Sequence, residues 1–426
     1  MRVASQPLRV LFVCQWYAPE PVTQPGWIVD GLRDAGLDVS VLTAQPNYPS
    51  GRVRPGYKAW ALRQDAVDKV PVLRTPVYPS HDRSALGRIV NYLSWALSSS
   101  LFGWRAQREA DVVLVYSSPA TAALAPLMWR RMAGLPYVLQ IQDLWPDSVF
   151  ASGFLPGRAG RLVRSLLESM VQAFYRQASG IVVISPGMKD LLVERGVEAE
   201  KISLVYNWLP PETMSEDIPT GAEADLRAML GLPAEAFVVM YAGNHGDAQG
   251  LDAVVRAMAD VRLNAPGRPV HLVLVGDGVA KQGLMSLAES MAPARVHFLG
   301  FMTRDDLSPL TRQANAQLVS LIKNPLFEVT MPSKIQSVLS AAQPVLACAA
   351  GDLARVVRES GAGVVAPPGD TAKIADALVQ MVGLSSAELT AMGERGRHYY
   401  EGVMKQAVGV DRLAHALSAA SEDRRA

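Results

Sequence analysis

Short apolar runs rich in β-branched residues alternate with amphipathic segments along the whole of this 426-residue chain. Runs of strand length that are bounded by turn residues predict buried β-strands, and the segments between them predict helices. The strand candidates are residues 10–14, 39–43, 112–116, 137–141, 180–184, 237–241, 270–275, 296–299, 317–321, 345–348 and 363–366. This alternation predicts an α/β fold of parallel sheets covered by helices on both faces.

The alternation stops once, at a polar, Pro-rich connection over residues 209–221, and then begins again. A chain of 426 residues is also longer than one hydrophobic core usually supports. We therefore predict two facing, doubly wound, Rossmann-like domains over residues 1–207 and 208–404, with a last helix over 405–426 packing back on the first. Ligands of such sheets bind outside the carboxyl ends of the strands, so the interdomain cleft is the expected site.

The composition excludes several classes of protein. With 49% hydrophobic and 19% charged residues, the chain is globular rather than disordered or fibrous. Cys14 and Cys348 lie in apolar runs without metal-type or redox spacing, which is typical of core residues in a reducing compartment. The apolar run at 8–14 is too short for a secretory signal, so we expect a cytoplasmic protein. No block of basic and aromatic residues resembles a nucleic-acid-binding motif.

The charges are distributed unevenly along the chain. Up to Asn207 there are 22 Lys and Arg against 16 Asp and Glu, whereas the remainder has 19 against 24. A basic first half indicates an anionic partner there. Residues 89–104 carry no charge, include four aromatic residues and are flanked by Arg88 and Arg105. This segment is shorter than the about 20 apolar residues that span a bilayer, so it is either a helix at the membrane surface or one packed within its domain.

Two glycine-rich turns follow the first two strands of the second half. Within residues 242–250, Gly243, Gly246 and Gly250 allow a ligand to approach the backbone closely, and the helix start that follows can receive phosphate oxygens. The strand at 270–275 ends in a Gly-Asp-Gly turn, which forms equally well without a ligand. Neither turn by itself identifies a nucleotide site.

A third turn carries a lysine at a helix start. Lys334 lies just inside a helix predicted to end near residue 342, directly after Pro332 and Ser333. A helix start attracts anions because its first N–H groups are unpaired, and a lysine adds a full positive charge. The alternative is an ordinary capped helix with a solvated lysine. All three turns follow strands of one half, so we expect them to converge on one edge of its sheet.

Several segments together resemble a known family. They read QWYAPEP (15–21), LTAQPNYPSG (42–51), IQDLWPDS (141–148), VISPGM (183–188), YAGNHGDAQGL (241–251), LVGDG (274–278), PSKI (332–335) and QPVLA (343–347). Their order resembles glycosyltransferase family 4, and the DLWPDS and PSKI pieces are similar to a branch of bacterial polysaccharide enzymes such as N-acetyl-fucosaminyl transferases. The resemblance implies a GT-B fold, which holds an activated-sugar donor mainly in its C-terminal domain, and transfer with retention at the anomeric carbon.

The resemblance also implies a donor site. Breaking the bond to a nucleoside diphosphate leaves charge that must be stabilised, and this chain has no Asp-x-Asp motif to hold a metal for that purpose. We therefore expect metal-independent catalysis without a cofactor, with Lys334 at the diphosphate of the donor substrate. Asn244 and Gln249 stand where the family often has Arg and Lys, so few cations are expected. The donor-binding candidates are Gly243, Asn244, Gly246, Gln249, Gly276, Gly278 and Ser333.

Three carboxylates complete the set of candidates. Glu328 resembles the first of two glutamates in the family and is expected to hold donor hydroxyls, although the second is replaced by Gln336 or Ser337, depending on the alignment. Asp143 follows a predicted strand and is expected to orient or deprotonate the attacking acceptor hydroxyl. The alternative is that Asp143 caps the next helix. Glu20, in the YAPEP loop, is expected on the acceptor side.

These residues predict a retaining transferase that moves a hexosyl or N-acetyl-amino-deoxyhexosyl group from a UDP-linked donor to a lipid-diphosphate-linked saccharide. The expected setting is the cytoplasmic face of the membrane, in the biosynthesis of a bacterial surface polysaccharide. Two alternatives stay open. A UDP-sugar 2-epimerase of the same fold would need acid–base groups in the cleft, and of the six histidines only His245 lies in a proposed ligand turn. A non-catalytic sugar-nucleotide-binding partner would accommodate the few cations and the missing second glutamate.

Overall fold

The computed structural model describes residues 6–80, 85–151, 157–210, 225–264 and 267–424. The chain divides into two compact units. Unit 1 consists of Met1–Asn207 and Gln406–Ala426, and unit 2 of Trp208–Lys405. The connection predicted over residues 209–221 lies outside the described residues from 211 onward. Each unit has its own sheet.

Unit 1 contains eight strands in the order β3-β4-β2-β1-β5-β6-β7-β8. Their bounds are β1 Arg9–Val13, β2 Asp38–Ala44, β3 Arg63–Val67, β4 Val70–Thr75, β5 Val112–Ser117, β6 Tyr137–Ile141, β7 Gly180–Val183 and β8 Ile202–Leu204. Every residue of β5 and β6 is buried, which is the pattern of parallel strands covered on both faces. These central strands are therefore the ones that their apolar, β-branched sequences predict best.

One edge of this sheet departs from the parallel pattern. β3 runs antiparallel to β4, and the turn between them holds Asp68 and Lys69 at positive φ. The sequence of β3 is polar, and its residues alternate between half-buried and exposed, so it has no apolar run to predict it. β4 contains Pro71 and the buried Arg74, and β8 has only three residues. The strands missed by the apolar pattern are thus polar, interrupted or very short.

The helices of unit 1 occupy the segments between its strands. They are α1 Gln24–Asp34, α2 Ala85–Phe102, α3 Leu124–Ala133, α4 Asp147–Ala151, α5 Gly157–Gln177 and α6 Pro186–Glu194. Helix α2 covers residues 89–102 of the uncharged segment, packs on α3 and buries Trp95 completely. Within the described ranges, no helix combines the length and apolar character needed to cross a membrane.

Unit 2 contains six parallel strands in the order β11-β10-β9-β12-β13-β14. The strands are β9 Phe237–Ala242, β10 Val270–Val275, β11 Val296–Leu299, β12 Ala316–Ser320, β13 Val345–Cys348 and β14 Gly363–Ala366. The helices are α7 Leu226–Leu230, α8 Leu251–Ala257, α9 Lys281–Met291, α10 Arg304–Gln313, α11 Pro325–Glu328, α12 Lys334–Ser340, α13 Gly351–Ser360, α14 Thr371–Val382 and α15 Ser386–Val403. Buried aliphatic side chains fill both faces of this sheet.

The last helix, α16 (Gln406–Glu422), belongs to unit 1. It packs on α1 and on strands β5, β6 and β7. A Cβ atom at Gly31 of α1 would lie 2.5 Å from a methyl carbon of Val410, so the two helices touch closely enough to require glycine there. The chain therefore enters unit 2 after Asn207 and returns to unit 1 at Gln406.

Candidate active site

The turns after β9 and β10 lie against each other in unit 2. Gly276 has a φ of +129°, and a Cβ atom there would lie 2.1 Å from the carbonyl oxygen of Gly243. Gly278 has a φ of +157°, and its Cβ atom would lie 2.4 Å from the carbonyl oxygen of His245. Any side chain at these two positions would force the turns apart. Glycine is therefore required for this contact at the carboxyl ends of the strands.

Lys334 brings the third turn to the same place. It is the first residue of α12, and its Nζ atom lies 3.1 Å from the centroid of the Tyr241 ring. A Cβ atom at Gly243 would lie 3.3 Å from the same Nζ atom. The Tyr241 hydroxyl in turn donates a hydrogen bond of 2.8 Å to the carbonyl oxygen of Asn244. The three turns thus meet at one edge of the sheet.

The ammonium group of Lys334 is in an unusual electrostatic position. Its Nζ atom is buried and has no hydrogen-bond partner among the described residues. Burial lowers the pKa of Lys334 well below its ordinary value, because the charged form loses hydration. The face of the Tyr241 ring offsets part of that loss through a cation–π contact. An anion bound here would favour the charged form and raise the pKa again.

Ser333 precedes α12 but does not cap it. Its side chain makes no capping hydrogen bond and is exposed. The side-chain amide of Gln336, in the orientation that satisfies its neighbours, donates instead to the carbonyl oxygens of Ser333 at 2.6 Å and Pro332 at 3.2 Å. The alternative of a capped helix with a solvated lysine therefore does not describe this turn. The cap is missing, and the lysine nitrogen is buried.

Glu328 ends the short helix α11 and is half-buried. A Cβ atom at Gly351, which has a φ of +62°, would lie 1.9 Å from the Glu328 carbonyl oxygen. The start of α13 is therefore fixed directly against the end of α11, with Glu328 beside it. The expected contact of its carboxylate with donor hydroxyls stays a prediction.

Two polar side chains in the turn after β9, those of Gln249 and Asn244, differ in their contacts. Gln249 accepts a hydrogen bond of 3.1 Å from the Gly246 backbone through Oε1, and Ser320 donates one of 2.6 Å to its carbonyl oxygen. Gln249 thus closes the turn from within. Asn244 is exposed, and its amide lies close to both Gly246 and Gly278. Of the two polar candidates, Asn244 is the one whose position leaves it open to a ligand.

A second lysine lies at this edge, and the sequence motifs did not reveal it. Lys281, the first residue of α9, donates a 3.1 Å hydrogen bond to the Gly276 carbonyl oxygen and lies 3.9 Å from the Asp277 carboxylate. Burial lowers the pKa of His245, and the positive charges of Lys281 and Lys334 lower it further. The sequence offered one signal for Lys281, its position three residues after the Gly-Asp-Gly turn. The site therefore has one more cation than the sequence predicted.

In unit 1, Asp143 follows β6 and is exposed. Ser118, which follows β5, donates a 2.7 Å hydrogen bond to Oδ2 of Asp143. The next helix, α4, begins four residues later, at Asp147. The carboxylate is therefore held by a neighbouring strand end rather than used as a helix cap, and its second oxygen remains available for a hydroxyl.

Glu20 is buried and holds a loop together. Its carboxylate accepts hydrogen bonds from the backbone N–H groups of Asn47 and Tyr48, both at 2.7 Å, and of Tyr17 at 3.2 Å. Burial nevertheless raises the pKa of Glu20 to about 7, because its effect exceeds that of the three donors. Both oxygens are engaged, so the predicted contact with an acceptor would require this network to open.

The described part of the chain contains no group of three or more His, Cys, Asp or Glu side chains placed to hold a metal ion. Two family models define the class of protein as a glycosyltransferase. The model of a glycosyl transferase 4-like domain matches residues 21–208, and that of the glycosyl transferases group 1 matches residues 236–383. The chain belongs to glycosyltransferase family 4.

Relatives and solved structures agree with this assignment. The Escherichia coli (strain K12) protein WcaI, named as a colanic acid biosynthesis glycosyl transferase, is 28% identical over 317 residues, which cover 74% of this chain and 76% of WcaI. The Anabaena protein HepE, solved with UDP and glucose, shares 17% identity and a TM-score of 0.62 over 96% of this chain and 99% of its own. WaaG, a glycosyltransferase involved in lipopolysaccharide biosynthesis, gives the same identity and TM-score over 96% of this chain and all of its own. The predicted GT-B fold and transferase class are confirmed.

Proposed function

We propose that this enzyme transfers a hexosyl group, with retention, from a UDP-linked donor to a lipid-linked saccharide during the assembly of a bacterial surface polysaccharide. Three observations on similar proteins support the proposal. HepE has been solved with UDP and with UDP-glucose, WcaI is named for colanic acid biosynthesis, and WaaG takes part in lipopolysaccharide biosynthesis.

The buried ammonium of Lys334 is the observation that carries the proposal. A lysine nitrogen without a hydrogen-bond partner costs stability unless a ligand compensates for it. The leaving nucleoside diphosphate gains negative charge as the bond to the sugar breaks. A fixed ammonium and the amides of two glycine turns would stabilise that charge more in the transition state than in the bound donor. We propose that this arrangement does the work without a metal ion.

The carboxylate of Asp143 is suited to the acceptor side of the same reaction. The hydrogen bond from Ser118 fixes one oxygen, and exposure leaves the other open to a sugar hydroxyl. A positioned carboxylate can orient that hydroxyl and accept its proton as the new glycosidic bond forms. Asp143 would then act at the attacking group, while Lys334 acts at the leaving group.

A row of apolar side chains on α2 supports contact with a membrane surface. Leu93, Leu97 and Leu101, which we call the α2 stripe, are 45%, 60% and 71% exposed and recur every four residues on one face of the helix. The exposed Arg105 and Arg108 follow directly after this helix. Leucines at headgroup depth with arginines beside them fit the surface of an anionic bilayer. We propose that this face docks where a lipid-linked acceptor resides.

The direct test is a transfer assay. The purified chain is incubated with individual UDP-sugars and short-chain prenyl-diphosphate-linked hexoses, with and without EDTA, and the product is analysed by NMR. We expect UDP release that requires an acceptor, a product with the anomeric configuration of the donor, and equal rates with EDTA.

Each part of the proposal can fail separately in this assay. Loss of activity in EDTA would contradict the metal-independent mechanism, and an inverted product would contradict retention. Conversion of UDP-N-acetylglucosamine without acceptor and without UDP release would indicate an epimerase. Binding of a UDP-sugar with no transfer to any acceptor would indicate a non-catalytic partner.

A further inference from the structure

Four aromatic side chains form a row in unit 1. The ring of Trp16 lies 5.2 Å from that of Tyr48 and 6.3 Å from that of Tyr92, measured between centroids. Tyr92 lies 5.9 Å from Trp145. The four residues come from the segments after β1, β2 and β6 and from α2. Residues far apart in the sequence thus build one continuous aromatic surface, which we call the aromatic row.

The aromatic row differs from the aromatic residues of the core. Trp95 and Trp129, also in unit 1, are completely buried, whereas all four members of the row are only partly buried. Three of the four lie just beyond the carboxyl ends of strands, the side of an α/β sheet where ligands bind. Aromatic rings that remain partly exposed at such an edge are available for stacking with a ligand.

The candidate base lies at one end of the row. Asp143 is two residues before Trp145, and the Trp145 backbone N–H donates a 3.0 Å hydrogen bond to the Asp143 carbonyl oxygen. Burial raises the pKa of Tyr92; the positive charge of Arg88 opposes this shift, and the negative charge of Asp143 adds to it. A sugar ring stacked on Tyr92 or Trp145 would therefore have hydroxyl groups close to that carboxylate.

We propose that the aromatic row is a stacking surface for the saccharide of the acceptor. A pyranose ring presents C–H groups on its faces and hydroxyls at its rim. An aromatic face can bind the C–H groups, while the Asp143 carboxylate accepts a hydrogen bond from a hydroxyl. The donor is a poorer occupant, because Lys334 and the glycine turns that suit its diphosphate belong to unit 2. This inference rests on the proposed function, because the saccharide is an acceptor only if the enzyme transfers a sugar to it.

Helix α2 joins this surface to the proposed membrane face. Tyr92 lies in the row, and the neighbouring residue Leu93 begins the exposed α2 stripe. One helix would therefore contact both parts of an amphiphilic acceptor, the lipid side through leucines and the sugar through a tyrosine. This placement favours an acceptor saccharide that is attached to a lipid over a free sugar.

Two variants test the aromatic row. Trp145→Leu and Tyr92→Leu keep an apolar side chain but remove the flat face, and Trp60→Ala is the matched control because Trp60 is an exposed aromatic residue of unit 1 outside the row. With short-chain prenyl-diphosphate-linked hexoses, we expect KM for the acceptor to rise about tenfold in the two row variants, which corresponds to the loss of one stacking contact. KM for the donor should stay within about twofold of wild type, as should all values for Trp60→Ala.

Saturation-transfer NMR measures saccharide binding independently of turnover. The probes are the methyl glycosides of glucose, galactose, fucose and N-acetylglucosamine. We expect saturation of ring C–H protons with wild type and Trp60→Ala and its loss with Trp145→Leu. An unchanged signal in Trp145→Leu, no signal with any probe, or an unchanged acceptor KM would each overturn the proposal. Probe binding through the row without sugar transfer would instead contradict the proposed function while supporting the stacking surface.

Discussion

The two sheet edges that carry the candidate residues consist of different types of residue. In unit 2, glycines without side chains let two turns touch, and Lys334, with its buried ammonium, and Lys281 supply charge. In unit 1, large aromatic rings and a fixed carboxylate form the corresponding edge. The first arrangement suits a small, highly charged group, and the second suits a neutral ring with hydroxyls. The contrast fits the proposed roles of unit 2 at the leaving group and unit 1 at the acceptor, and the following experiments test that comparison.

The largest expected effect concerns Lys334. Replacement by Met keeps much of the packing on Tyr241 and removes only the charge. We expect kcat/KM for sugar transfer to fall by about 10³-fold or more, because the charge on the diphosphate loses its fixed partner. The control is Lys373→Ala, which removes an exposed lysine of unit 2. Turnover by Lys334→Met at the wild-type rate would contradict the assignment of unit 2 to the leaving group.

Replacement of Asp143 by Asn comes next. The amide can still accept the hydrogen bond from Ser118, but it cannot take up a proton. We expect kcat to fall by about 10²-fold while UDP binding, measured by calorimetry, is unchanged. In the comparison variant Ser118→Ala, kcat should fall less, because only the hydrogen bond that positions the Asp143 carboxylate is lost. A normal kcat in Asp143→Asn would contradict the proposed role of Asp143 as the general base.

A smaller effect is expected at the α2 stripe. Replacing Leu93, Leu97 and Leu101 together by Gln removes apolar area that would enter the bilayer. We expect binding to phosphatidylglycerol vesicles, measured by co-sedimentation, to fall about tenfold or more, with activity on a water-soluble acceptor retained.

The matched control for the stripe replaces three exposed apolar residues of unit 2, Val261, Val279 and Phe301, by Gln. These residues are more exposed than the leucines and lie outside α2. Equal loss of vesicle binding in the control would mean that general surface apolarity, rather than the α2 stripe, makes the contact.

The last expected effect, on stability rather than on turnover or membrane binding, is the pH dependence due to Glu20. Burial raises its pKa from 4.5 to about 7, so the folded protein binds more protons than the unfolded chain between these values. Stability should therefore fall as the pH rises through this interval, by on the order of 3 kcal/mol at most. Thermal unfolding of Glu20→Gln should show a flatter dependence of Tm on pH than wild type and than the exposed-residue variant Glu289→Gln. An identical slope in all three would show that Glu20 does not titrate in this range.

The sequence predicted the edge of unit 2 better than that of unit 1. The glycines and Lys334 lie in short segments that each contain a strand end, a turn and a helix start, so local rules place them. Lys281 was missed because its position shortly after the Gly-Asp-Gly turn is a weak signal, and only the fold shows its contact with Gly276. The predicted closeness of the three turns followed from parallel strand order alone.

The aromatic row could not be predicted in the same way. Trp16, Tyr48 and Trp145 lie in the segments that carry the family resemblance, but their meeting depends on which strands are neighbours and how their loops pack. Glu20 shows the opposite kind of difference. A glutamate in a Pro-rich loop predicts an exposed side chain that is free to contact a ligand. Only the fold reveals that three backbone N–H groups surround it.

The return of α16 to unit 1 constrains how unit 2 of this chain can be exchanged by recombination. Unit 2 is inserted between two segments of unit 1, because the chain leaves after Asn207 and comes back at Gln406. A recombination that replaced everything after residue 207 would also replace the helix that packs against Gly31. Exchange of unit 2 alone therefore requires two crossovers, or one crossover accompanied by a compatible final helix.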